Sequence, residues 1–195
     1  MFKIFLICFT FIATTSRAQT AYNTSEGRAI FFAEAPVSDI RGESKELTAS
    51  IDTATGMVKG EIHIKSFAFD KSLMRKHFNE RYMESDKFPI ASFEGKIAEV
   101  IAWRTPGSYK TKVNGSIIIH GVKSRREFPV TISVGPSSSV LIQSVFKVKL
   151  ADHAIEIPTL LFKEVTDEVE VSLTLNLNSV SRPNNQTGQT KTQNK

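Results

Sequence analysis

The segment "VLIQSVFKVKL", residues 140–150, alternates between apolar and polar side chains along most of its length. One face carries Val140, Ile142, Ser144, Phe146, Val148 and Leu150, and the other carries Gln143, Lys147 and Lys149. A period of two residues is typical of a β-strand with one face buried and the other in water. Strands covered on one side only favour an antiparallel sheet over a parallel one.

The same alternation recurs in "VEVSLTLNL" (169–177) and "MVKGEIHIKS" (57–66). Further strands are predicted over residues 28–33, 47–52, 90–100, 109–120 and 127–134. Turn signals separate them, namely "DTATG", "RTPG", "HGVKS" and "GPSSS". Eight antiparallel strands with one wet and one dry face indicate a sandwich or a closed up-and-down barrel.

The segment "KSLMRKHFNERYMESDKFPIASF" (71–93) departs from this pattern. Leu73, Met74, His77 and Phe78 fall at helical spacing, and Asp70 is positioned to cap a helix that starts at the next residue. Proline follows at position 89 and ends any helix before it. The sequence therefore predicts a short helix of about ten residues inserted between two long strands.

Both ends of the chain are predicted to lie outside the folded domain. Residues 1–18 combine a basic start, an apolar run and a small-residue site, as expected of a secretory signal cleaved after Ala18. Cys8 lies inside the apolar run after bulky Ile7, so an acylated lipoprotein cysteine is the less favoured reading. Residues 181–195 contain no large apolar residue and are predicted to be a disordered polar tail. The packed domain is then 21–180, in a periplasmic or secreted protein.

Composition excludes several classes of protein. Removal of the signal leaves 23 basic and 20 acidic residues, without the basic stripe expected of a nucleic-acid binder. The single cysteine, Cys8, leaves with the signal, so no disulfide and no cysteine metal site is expected in the mature domain. The mature domain contains no apolar run long enough for a membrane-spanning helix, so an integral membrane protein is not predicted.

Catalytic and metal-binding readings find little support. The four histidines, His63, His77, His120 and His153, form no close pair, and no serine lies in a nucleophile elbow. We expect His63 to be solvated and His120 to make a structural hydrogen bond in a turn. Glu84 and Asp86 lie near His77 without forming a calcium loop. The chain is predicted not to be an enzyme and to need no metal or cofactor, and a lipid hydrolase is the third-ranked alternative.

Several small residues lie among the large apolar ones in the predicted strands. They are Gly60, Ala91, Gly95, Gly115 and Ser144. An eight-stranded barrel is just wide enough to be filled by side chains or to hold one small ligand. Small inward residues can leave a cavity, and they can equally mark bulges and strong coiling of the sheet. The sequence leaves both readings open.

Three motifs together resemble the YceI family of secreted, lipocalin-like proteins that bind lipids and polyisoprenoids. They are "GMVKGEIHIKSFAFD", "HFNERYMESDKFPIASFEGKI" and "VNGSIIIHGVKSRREFPVTI". The positions of the family pattern are occupied here by Ser66, His77, Phe88-Pro89, Phe93 and residues 115–122. The resemblance covers residues 29–177. Two departures are Lys76, where many members carry aspartate before the histidine, and isoleucine in place of threonine before the His-Gly turn.

The resemblance implies an all-β, lipocalin-like fold, an eight-stranded antiparallel up-and-down barrel, with a long hydrophobic tunnel for an isoprenoid or acyl chain. The expected ligand is an isoprenoid quinone, a polyprenyl lipid or a fatty-acyl lipid that the protein carries or stores. With the insert lying beside or across one barrel end, we expect the following residues to border the cavity: Phe67, Phe69, Leu73, Met74, Phe78, Tyr82, Met83, Phe93, Ile97, Ile119, Phe128 and Phe146. His77 is the candidate polar contact at the mouth, and Arg75 or Lys76 could attract a diphosphate. The alternative is a non-catalytic structural or interaction module with a filled barrel, and a homodimer is left open.

Overall fold

The computed structural model describes residues 20–34, 39–136, 139–156 and 167–181, and within them the chain forms a closed barrel of eight strands. The strands are β1 (Thr20–Ala33), β2 (Ile40–Asp52), β3 (Met57–His63), β4 (Ile90–Ile97), β5 (Gly107–Ile119), β6 (Val122–Val134), β7 (Val140–Lys149) and β8 (Glu168–Ser181). Each strand pairs antiparallel with the next, and β8 returns to β1. The predicted up-and-down barrel is confirmed, whereas the predicted signal and nearly all of the predicted tail lie outside the described residues.

Strand boundaries differ most from prediction in β1 and β2. β1 begins at Thr20 instead of residue 28, and β2 begins at Ile40 instead of residue 47. The pairing of β1 with β2 shifts register between Thr24 and Gly27 and again before Ala29. A bulge places two residues opposite one and so interrupts the period-two alternation on which the prediction depended. In β4 the ladder ends at Ile97, three residues before the predicted end.

The inward and outward faces agree with the alternation. In β7, Val140, Ile142, Ser144 and Val148 are buried, while Gln143 and Lys147 are exposed. In β8, Val169, Leu175 and Leu177 are buried. His63 on β3 is exposed, as predicted. Period-two patterning therefore identified which side of the sheet becomes the barrel interior.

One end of the barrel is solidly packed. The β4–β5 connection folds inward there, which buries Ile101 and lays the Trp103 ring 5.6 Å from the Tyr22 ring of β1. Leu177 and Val140 complete this plug with 2% of each exposed. Because apolar side chains from the loop fill this end, any internal space must lie toward the other end of the barrel.

The opposite end carries the insert between β3 and β4. It starts with a 3₁₀ turn (Ile64–Ser66), continues as helix α1 (Ser72–His77) and closes with a π-helical turn (Phe78–Tyr82). The predicted helix is confirmed, but its predicted cap is wrong. α1 begins one residue later than expected, so Lys71 occupies the N-cap in extended conformation and no side chain caps the helix. A π turn widens the helix and is frequent at functional sites.

Glu43 on β2 holds the start of the insert against the barrel. Its backbone forms a two-way bridge with Ala68, with N–O distances of 3.0 and 2.8 Å. Its carboxylate accepts hydrogen bonds from Arg28 at 2.7 Å and from Arg41 at 2.7 Å. The Arg28 hydrogen bond, followed by that of Arg41, lowers the pKa of the Glu43 carboxyl from its ordinary 4.5 to about 2. This carboxylate therefore stays charged through ordinary acid conditions.

Glu43→Gln is expected to destabilise the fold at neutral pH, and the difference from the wild-type protein should shrink in acid. A pKa lower in the folded than in the unfolded state stabilises above pH 4.5, and that contribution is lost as the pH falls toward about 2. Urea unfolding of both proteins at several pH values measures the difference. A gap that stays constant from neutral pH down to the acid end would contradict this assignment.

Candidate ligand-binding cavity

A cavity of about 310 Å³ lies inside the barrel on the side of the insert. All eight strands contribute to its wall, which consists mainly of aliphatic and phenylalanine side chains. Typical ligand cavities begin at about 300 Å³ and are mostly apolar. The barrel interior is thus hollow between the Tyr22–Trp103 plug and the insert, and it differs from a barrel filled by side chains.

Ten of the twelve predicted apolar contact residues lie in the cavity wall. The insert supplies Phe67, Met74, Phe78, Tyr82 and Met83, and the strands supply Phe93, Ile97, Ile119, Phe128 and Phe146. Their positions follow from strand alternation and from the helical spacing within the insert. Contact of these side chains with a ligand stays a prediction.

Three predicted site residues lie elsewhere. Leu73 is 61% exposed and turned away from the barrel, because α1 directs Met74, His77 and Phe78 inward and the opposite side outward. Arg75 lies on that outer side, in a shallow groove with Leu73. The placement of Leu73 and Arg75 at the cavity is therefore corrected. Phe69 is half-buried behind the wall, with its ring 5.0 Å from that of Phe78.

Phe31 on β1 is a wall residue that sequence reasoning did not select. Its ring stacks on Phe78 at 5.0 Å and 13°, and it lies 5.4 Å from the Phe67 ring. It belongs to a predicted strand, but "IFFA" offers two adjacent phenylalanines with no indication of which one faces inward. This aromatic group joins the insert to the barrel by apolar packing, and such ring pairs add about 0.5–1.5 kcal/mol each beyond their buried area.

The small inward residues divide into two groups. Gly60, Ala91 and Ser144 line the cavity, where their small side chains leave space. Gly95 of β4 pairs with Gly115 of β5, and a Cβ at Gly115 would lie 2.5 Å from the Gly95 Cα. The cavity explanation therefore applies to the first group, whereas Gly95 and Gly115 allow two strands to approach closely without any shift of register.

Two side chains of the insert bring polar atoms to this apolar wall. The Tyr82 hydroxyl is buried and makes no hydrogen bond within the described chain, and His77 lines the same space. Burial raises the pKa of the Tyr82 phenol, so Tyr82 remains a neutral hydrogen-bond donor. Ser144, in contrast, already donates to the Pro129 carbonyl at 2.7 Å. A ligand group near Tyr82 and His77 could thus be recognised by neutral hydrogen bonds.

The described residues offer little for metal chemistry. No three histidine, cysteine, aspartate or glutamate side chains among them lie close enough together to hold an ion. Within the same ranges, no helix has both the length and the apolar character that a bilayer crossing requires.

Comparison with known protein families agrees with this architecture. The family model described as the YceI-like domain matches residues 15–177, most of the chain. The chain belongs to the YceI family. No curated protein sequence matches this YceI chain significantly.

Solved structures share the YceI barrel at low sequence identity. A polyisoprenoid binding domain from Saccharophagus degradans, implicated in plant cell wall breakdown, superposes with a TM-score of 0.71 at 15% identity, covering 84% of this chain and 100% of that domain. BcnA from Burkholderia cenocepacia gives 0.65 at 18% identity over 78% and 96% of the two chains. A Campylobacter jejuni YceI protein gives 0.54 at 15% identity over 94% and 99%. At these identities the similarity shows the fold.

Residues of the YceI motifs hold the insert in place at its first turn. The Ser66 hydroxyl donates to the His63 carbonyl at 2.6 Å, so the buried Ser44 hydroxyl donates to Ser66 Oγ at 2.6 Å. Ser44 in turn accepts from the Glu46 amide at 3.1 Å. Since this chain of hydrogen bonds links β2 to the end of β3, Ser66 fixes where the YceI insert leaves the barrel.

His120 in the β5–β6 turn of the YceI domain holds the other end of the insert. Its Nε2 lies 2.9 Å from a Glu84 carboxylate oxygen, and its Nδ1 lies 3.2 Å from the His153 carbonyl. The Phe88 ring packs edge-on against the imidazole at 4.4 Å. The structural hydrogen bond predicted for His120 is confirmed. The turn geometry also suits it, because His120 and Gly121 both have positive φ, as a two-residue hairpin requires.

Proposed function

We propose that this YceI protein binds the hydrocarbon chain of a lipid inside its barrel. The observation that carries the proposal is the apolar cavity, about 310 Å³ in volume, lined by all eight strands and the insert. Apolar cavities in proteins stay dry and take up apolar guests. The Saccharophagus degradans domain with the same fold is named for polyisoprenoid binding, which supports this class of ligand.

Apolar burial alone is sufficient for useful affinity. Removing about 15 methylene groups from water supplies on the order of 12 kcal/mol, at ~0.8 kcal/mol each. Immobilising the ligand costs at least about 4 kcal/mol. At most about 8 kcal/mol then remains, which corresponds to a micromolar dissociation constant. No charged contact inside the barrel is needed.

The polar part of the wall favours a neutral head group. Tyr82 and His77 can exchange hydrogen bonds with a carbonyl or hydroxyl, whereas Arg75 lies on the outer side of α1. A diphosphate in the apolar interior would be a buried charge, which is costly, and Lys59 at the wall is exposed and pairs with Glu94 at 3.3 Å. An isoprenoid quinone or a prenyl alcohol therefore suits this cavity better than a polyprenyl diphosphate.

The physiological role that fits is a carrier or a store of such a lipid. The signal-like residues 1–18 support a periplasmic or extracellular location. Binding of this kind uses no catalytic group and no cofactor, and we propose a non-enzymatic role.

Extraction of the protein purified from its own host tests the proposal. Organic solvent is expected to release a compound with a long isoprenoid or acyl chain, identified by mass spectrometry, and delipidated protein should rebind it. A matched pair of competitors, a quinone and a polyprenyl diphosphate of equal chain length, then tests the head group, and the quinone is expected to bind more tightly. Protein that is empty as isolated and takes up neither compound would refute the proposal.

A further inference from the structure

The outer side of α1 is an exposed basic and apolar surface. It consists of Leu73, Arg75 and Lys76, flanked by Lys71 and Arg81, and is called here the outer helix face. Leu73 is 61% exposed, and the four basic side chains are also exposed. Helical geometry separates this face from Met74, His77 and Phe78, which line the cavity on the inner side of the same helix.

The charges of the outer helix face are not neutralised by ion pairs. Within the described ranges, none of its four basic residues forms a salt bridge, whereas the nearby Asp86 pairs with Lys65 and Glu84 pairs with His120 and Lys87. Two acids, at positions 70 and 80, accompany these four bases, so residues 70–81 carry a net charge of +2. An unpaired basic patch attracts anionic surfaces.

Leu73 differs in its surroundings from other exposed apolar residues. Val100 is 99% exposed but follows Glu99 in the β4–β5 connection, at the plugged end of the barrel. Val145 is 53% exposed on the barrel side. Leu73 lies among basic residues at the end that holds the cavity. A helix with basic residues around an apolar one is suited to the interface of an anionic membrane.

We propose that the outer helix face docks on anionic lipid bilayers, with Leu73 inserted between head groups and Arg75 and Lys76 against phosphates. The inner side of the same helix lines the cavity, so docking places the cavity wall one helix diameter from the membrane. A hydrophobic ligand could then enter without crossing open water. Membrane docking is a property separate from the proposed ligand binding. Because vesicle binding is measured without any ligand transfer, a protein that does not bind vesicles could still bind a lipid inside the barrel, and the reverse also holds.

Flotation with mixed phosphatidylglycerol–phosphatidylcholine vesicles, compared with pure phosphatidylcholine vesicles, tests the proposal. We expect binding to the anionic vesicles alone, weakened by high salt. The double variant Arg75→Glu/Lys76→Glu should lower the affinity about tenfold or more. Leu73→Ser should lower it severalfold at unchanged charge.

Matched controls lie at the plugged end of the barrel. Arg104→Glu/Lys110→Glu makes the same change of charge at exposed positions, and Val100→Ser removes an exposed apolar side chain. Both controls should bind vesicles within about twofold of wild type, since neither touches the outer helix face. Absence of vesicle binding, or an equal loss in variants and controls, would overturn the proposal. So would a Leu73→Ser protein that changes from dimer to monomer in sedimentation without any vesicle binding, because the face would then bind a second copy.

Discussion

Ala91→Phe is expected to weaken the binding of a hydrophobic ligand about tenfold or more while the barrel stays folded. Ala91 lies on β4 opposite Ile62, and its methyl group faces the cavity. A phenyl ring there would occupy volume that the ligand needs. Displacing two methylene groups costs about 1.6 kcal/mol, which exceeds the ~1.4 kcal/mol of a tenfold change. Displacement of a fluorescent acyl or prenyl probe measures the affinity.

Thermal unfolding of the same variant separates a filled cavity from a damaged fold. Filling internal space commonly stabilises a protein by about 0.5–2 kcal/mol, so the melting temperature of ligand-free Ala91→Phe should be unchanged or higher. The matched control is Ala98→Phe, the same substitution at an exposed position just past the end of β4. An affinity equal to that of the wild-type protein in Ala91→Phe would place the ligand outside the barrel.

Much of the barrel could be predicted because its strands are buried on one face only. In a strand that is buried on one face, apolar and polar side chains must alternate. The sequence alone therefore indicates that Ile142 faces the interior and Gln143 faces solvent. The same alternation predicts inward positions for Phe128 and Phe146, and both line the cavity. The start of β1 could not be predicted in this way, because register shifts near Gly27 interrupt the alternation.

The rest depends on contacts between distant segments, which no local pattern encodes. No local sequence pattern around residue 101 predicts that Ile101 and Trp103 fold inward beside Tyr22 and fill one end of the barrel. Similarly, the Glu84–His120 pair joins residues 36 positions apart. The spacing of apolar residues in the insert indicates a helix, but it does not distinguish the side that faces the barrel from the side that carries exposed Leu73.

Gly115→Ala is expected to destabilise the protein by about 1–3 kcal/mol, the range for overpacking. An added Cβ would overlap the Glu94 carbonyl oxygen and lie 2.5 Å from the Gly95 Cα. The Phe93 ring also lies over this pair of glycines, with its Cζ 2.7 Å from the Cβ position. Backbone atoms of a neighbouring strand cannot rotate away as a flexible side chain can. Urea unfolding, with the slope compared between proteins, measures the loss.

Gly60→Ala is the matched control, because Gly60 also lies within a strand and lines the interior. The nearest atom that its added Cβ would meet is the Thr48 carbonyl oxygen at 3.6 Å, an ordinary contact. We expect little change, or a gain of about 0.4–1 kcal/mol from the stiffer unfolded chain. Both glycines lie at inward positions of predicted strands, so the sequence does not distinguish them. In the structure there is room for a Cβ at Gly60, whereas Gly115 is in close contact with the neighbouring strand. Equal destabilisation by both substitutions would contradict that division, and with it the open space assigned to this part of the barrel wall.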